Sequence, residues 1–105
     1  MLIVLDKDCE VHLFASITEA QRELEAIDVE NLEFEFCDDR GQRFRPQITS
    51  PVTAFRAGAF ALHPDGSPDK VLPLSILARA VHLGTRSGHI KSLGDLKSHL
   101  ERFTA

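Results

Sequence analysis

The sequence predicts an α+β fold in a single domain, residues 1–105: an antiparallel sheet of three to five strands packed on one face by about three helices. Two observations carry this. Apolar residues alternate at period two around Leu32 to Cys37 and Phe44 to Ile48, and recur at steps of three and four near residues 17–27, 74–83 and 93–103. The order of these segments, strands first, then a helix, a meander and two more helices, fits a sheet with helices laid against it.

Leu2-Ile3-Val4-Leu5 reads as a buried strand and Val11 to Phe14 as its partner, with the polar stretch Asp6 to Glu10 as the turn between them. Ser16 followed by Glu19 is a capping box, which satisfies orphan amides at a helix start. The helix that follows sets Ile17, Ala20, Leu24 and Ile27 on one face.

Leu32, Phe34 and Phe36 point to the core from the next strand, and Glu33 and Glu35 point away. Parity decides the hairpin that follows. A two-residue loop at Arg40-Gly41 sets Glu35 against Pro46 and mixes the faces. A three-residue loop, Asp39-Arg40-Gly41 with Gly41 left-handed, pairs Phe36 with Phe44 and Glu35 with Arg45. The longer loop is expected. Pro46 lacks a ladder donor, which places the second strand at an edge or a bulge and leaves edge-to-edge dimerisation open.

Val52 to His63 fits a strand or a helix, and the strand is preferred because Gly58 interrupts the run and His63-Pro64-Asp65-Gly66 closes it as a turn. Leu74 to Leu83 reads as the central helix, begun near Pro73 and ended at Gly84. Leu74, Leu77, Ala78 and Val81 form one apolar stripe, with Ile76, Ala80 and Leu83 beside it and only Ser75, Arg79 and His82 as a polar edge. A last helix starts at Ser92, capped weakly with Asp95, and faces the core with Leu93, Leu96, Leu100 and Phe103.

Charge is divided along the chain. Up to Asp39 there are 12 acids against 2 bases, and from Arg40 onward 10 bases against 4 acids, within an overall net charge of −4. Such asymmetry points to charged partners, or to halves that pair with each other in the fold. With seven Phe and no Trp or Tyr, the aromatics serve as core filler, and any interface must rely on charge. The apolar run at Leu2 is too short for a signal or membrane segment, and two cysteines without framework spacing suit a reducing compartment. A cytoplasmic protein that engages no membrane is expected.

Chemistry-bearing patterns are sparse. Cys9 and His12 form one C-x-x-H, short of the ligand number zinc requires, so neither a metal nor another cofactor is expected. Cys37 sits beside Glu35 and Asp38, which oppose thiolate formation, and no nucleophile elbow or paired-histidine motif occurs. A non-enzyme is the expectation. The stretch from Gly84 to Ser92 is small and basic and leads into a helix start. With Arg79, Arg86, His89 and Lys91 it offers an alternative, an anion- or nucleic-acid-binding regulator, although the net negative charge opposes tight duplex binding.

The segment Leu24 to Gly41 has an L-E-x-I-D-V-E-x-x-E pattern running into an acidic hairpin closed by D-x-x-G. It resembles small bacterial proteins of the polymorphic-toxin immunity type. That resemblance implies a protein-binding module that neutralises a secreted toxin, such as a nuclease with a cationic cleft, by covering its active site. The residues placed at the interface are Glu25, Asp28, Glu30, Glu33, Glu35, Asp38 and Asp39.

Overall fold

Four consecutive apolar residues cannot all point to one side of a strand, and Leu2–Leu5 (β1) is accordingly buried on both faces. This strand divides two cores in the computed structural model, which describes residues 1–31, 34–54 and 58–104. Ile3 and Leu5 enter one core with Val11, Leu13, Cys37, Ile76, Ile90, Leu96 and Leu100. Leu2 and Val4 enter the other with Phe14, Ala20, Val29, Phe36, Phe60 and Leu62. The α+β class holds, but helices cover both faces of the sheet rather than one.

The elements follow in order as β2 (Glu10–Phe14), α1 (Ile17–Glu23), α2 (Ala26–Glu30), β3 (Glu35–Asp38), β4 (Arg43–Ser50), β5 (Ala59–Asp65), α3 (Leu72–Arg79), β6 (His82–Leu83) and α4 (Leu93–Thr104). They build a six-stranded sheet ordered β5-β4-β3-β1-β2-β6, larger than expected. It is mixed, because β6 runs parallel to β2.

Helix α1 starts as the capping box requires: the Glu19 amide donates to Ser16 Oγ at 3.1 Å and the Ala15 amide to Glu19 Oε2 at 2.7 Å. The expected single helix breaks at Leu24, whose ψ of 144° is extended. The chain restarts as α2 and sends Ala26 and Val29 into the second core.

The three-residue hairpin loop is present. Phe36 pairs with Phe44, the Asp38 amide donates to the Gln42 carbonyl at 3.0 Å, and Gly41 has φ +90°. Leu32 and Glu33, expected on this strand, lie outside the described residues. Of the edge or bulge expected for β4, the edge is not found, because β5 pairs along it from Arg43↔Asp65 to Ser50↔Ala59, while the ladder does carry a bulge-like register shift between Ile48 and Ser50. Even-numbered β4 residues direct their backbone groups toward β3, and the described β3 ladder stops at Phe44. Pro46 therefore sits where neither ladder needs its missing N–H.

The edge is β5. Its strand continues through His63-Pro64-Asp65, expected to be a turn, and the bend falls at Gly66. Of the segment where strand competed with helix, residues 55–57 lie outside the described residues and Ala59 onward is strand.

The central helix is shorter than its apolar sequence suggests. α3 stops at Arg79, and the chain then satisfies the outer edge of β2. Val81 N donates to Cys9 O at 2.8 Å, Gly84 N to Val11 O at 2.8 Å, and Leu13 N to Thr85 O at 2.9 Å. The expected apolar stripe is divided: Leu74 and Leu77 pack half-buried against the first core, Ala78 and Val81 are exposed, and the fully buried side is Leu72, Pro73 and Ile76.

Candidate functional site

The acids of the first half of the chain fall on both sides of the sheet, Glu35 and Asp39 meeting α3 and α4. On the α1–α2 side, Glu25 is exposed, Asp28 is half-buried, and neither carboxylate has a hydrogen bond or ion pair among the described residues. They flank the break between the two helices, where Leu24 leaves the helical conformation. Glu23 beside them makes one exposed contact, 3.5 Å from Arg22. Glu33 and the side chain of Glu30 lie outside what the structure describes.

The other acids of the expected patch are committed elsewhere. Glu35 shares its strand face with Cys37 and accepts two hydrogen bonds from Arg79, at 2.6 Å from Nη1 and 3.1 Å from Nη2. Arg43 adds a contact at 3.9 Å, so the expected partner Arg45 is replaced by a guanidinium from α3 and a diagonal neighbour on β4. Asp38 closes its own hairpin, accepting from the amides of Arg40 and Gln42 at 2.9 Å each. Asp39 holds His99 of α4 at 3.1 Å and lies 3.7 Å from the Met1 ammonium. Glu35, Asp38 and Asp39 therefore do not converge with Glu25 and Asp28.

The basic alternative is also dispersed. The Arg79 guanidinium is held by Glu35, which raises its pKa further. Arg86, His89 and Lys91 are exposed on one loop, but that loop is built rather than loose. Ile90 is buried in the first core, its amide donates to Ser87 O at 3.1 Å, and Gly88 has φ +58°. The amides at the start of α4 already face the chain's own groups: Lys91 N donates to Asp95 Oδ2 at 3.0 Å and Asp95 N to Ser92 Oγ at 3.1 Å. An external anion would have to displace a tethered carboxylate.

Burial, reinforced by Asp38, pushes the Cys37 thiol up to about 12, so it stays protonated at neutral pH. Cys9 is a free thiol too, in the β1–β2 turn at φ +59°. No group of three or more possible metal ligands occurs among the described residues.

The most connected polar cluster was not anticipated. His12 Nε2 lies 2.9 Å from Asp6 Oδ2, and His12 Nδ1 lies 3.0 Å from Thr85 Oγ1 and 3.3 Å from the Thr85 amide. The amide can only donate, so Nδ1 accepts and Nε2 carries the proton toward Asp6. Asp6 Oδ1 meanwhile accepts from the amides of Asp8 and Glu10 at 2.9 and 3.0 Å. The effect is to clamp the β1–β2 turn and the end of β6 to one another. The sequence signal was the hairpin register: Val4 opposite His12 places Asp6 diagonally across from it on the same face. Thr85, 73 residues away, carried no such signal.

Depressions among the described residues include one of about 220 Å³ lined by Met1, Leu2, Ala15, Ser16, Ile17, Asp38 and Phe44. Another, of about 420 Å³, lies between α3 and α4 against Leu74, Leu77, Ala78, Lys97 and Glu101. Neither gathers a histidine with a carboxylate. No helix among the described residues is long and apolar enough to cross a membrane. No family model matches the chain, and no curated protein or solved structure matches it either.

Proposed function

We propose that this chain is a cytoplasmic protein-binding module of the immunity type, which neutralises a bacterial toxin by laying its acidic α1–α2 face over a cationic active-site cleft. The observation that carries the reading is the pair of carboxylates at the helix break, Glu25 and Asp28, without partners among the described residues while Glu35, Asp38 and Asp39 are consumed by the fold. An unpaired surface carboxylate speeds encounter with a positive cleft and gains a charged partner there. A nuclease active site has that character, because it must hold phosphates. The mechanism is occlusion, with no chemistry performed by this chain.

Growth of cells co-expressing the toxin encoded beside this gene tests the reading. The wild-type protein restores growth, and Glu25→Lys with Asp28→Lys abolishes the rescue while circular dichroism shows the fold intact. Undiminished toxicity beside the wild-type protein would refute it.

A further inference from the structure

We propose that the groove between α3 and α4 seats a second copy of this chain, in a two-fold dimer. The inference is independent of the toxin-binding reading, because the groove lies on the opposite side of the sheet from α1 and α2. It begins with the helical wheel of α3. Leu72, Pro73 and Ile76 fill the core side, Leu74 and Leu77 pack half-buried against the margin of that core, and the exposed side carries Ala78 and Ser75, with no charge between Leu72 and Ala78. Val71, directly before the helix, extends that exposed side. The exposed large hydrophobic residues among those described are Val71 at 63% and Val81 at 59%, one at each end of α3. Apolar exposure is thus concentrated along one helix, beside a depression of about 420 Å³.

Charge identifies the occupant. The α4 wall of the groove carries Lys97 and Glu101, one helical turn apart and 4.0 Å from each other. A two-fold axis passing between them sets each Lys97 against the partner copy's Glu101, twice over, while the apolar stripes of α3 meet. Such a self-complementary arrangement is what an isologous interface requires. The sheet edges offer no competing route. On β5 the outward amide of Leu62 is taken by Gln21 Oε1 at 2.8 Å, and Pro64 has no amide to offer. β6 is only two residues long.

Sedimentation equilibrium of the full chain over a range of concentrations tests the proposal. The wild type is expected to approach twice the chain mass, and Val71→Glu with Ala78→Glu to weaken association by about tenfold or more. Lys97→Glu or Glu101→Lys alone places like charges across the axis twice and is expected to weaken it as well. Mixing those two single variants restores opposite charges at both contacts, so a heterodimer should form. Wild-type protein that stays monomeric overturns the proposal, even if the groove takes up an apolar dye. So does a dimer unaffected by Val71→Glu with Ala78→Glu, or a mixture of the charge variants that associates no better than either alone.

Discussion

Asp6 concentrates more hydrogen bonds on one carboxylate than any other described side chain near it: two backbone amides on Oδ1 and the His12 ring on Oδ2. Partial burial works to raise its pKa, but the bonds from His12, Glu10 and Asp8 outweigh it and leave it below the ordinary aspartate value. A carboxylate with a lowered folded-state pKa binds fewer protons in the native state. Its stabilisation is therefore present above the ordinary aspartate range and lost as pH falls through the folded value. Asp6→Ala should cost about 1–3 kcal/mol at pH 7, and urea titrations should show the gap to wild type shrinking in acid. The Glu35–Arg79 pair is bidentate yet roughly 40% exposed in both partners, at 37% and 47%. A double-mutant cycle should return a coupling below about 1 kcal/mol that falls further with added salt.

Among the elements, the β3–β4 hairpin is the most tightly determined. Gly41 has φ +90°, and a Cβ there would drive into the backbone carbonyl of Asp69, whose amide donates to Gly41 O at 3.0 Å. Gly41→Ala should destabilise by about 2 kcal/mol or more, read as a lower urea midpoint with unchanged slope. The loop length and register of this hairpin were legible from parity, because only one loop length kept Phe36 opposite Phe44. The capping boxes at Ser16 and Ser92 were legible for the same reason: the interactions are local. What was not legible depends on contacts distant in sequence. α3 ends where it does because β2 needs a neighbour, and nothing within residues 74–83 announces that edge. Periodicity there reports amphipathicity, not which side faces inward, so it does not single out Leu72, Pro73 and Ile76 as the buried side. β1 held a clue to the second helical layer, since a run buried on both faces needs cover on both.

At the scale of the whole molecule, the sheet separates the two proposed binding faces as well as the two cores. The acidic α1–α2 layer lies on one side, and the groove of α3 and α4 lies on the other. A dimer formed through that groove leaves both acidic faces outward, so each copy is free to cover a partner. Much of the acidic patch was legible as composition but not as surface, because parity does not show that Glu35 would meet Arg79, 44 residues further on. Among the described residues of that patch, Glu25 and Asp28 remain unpaired, and the central claim rests on them. Stopped-flow association with the purified toxin, at low and high ionic strength, tests it most directly. The wild-type rate should fall steeply with salt, and Glu25→Lys with Asp28→Lys should reduce it by about tenfold at low salt and little at high salt. A rate indifferent to both the salt and the two reversals would contradict the account.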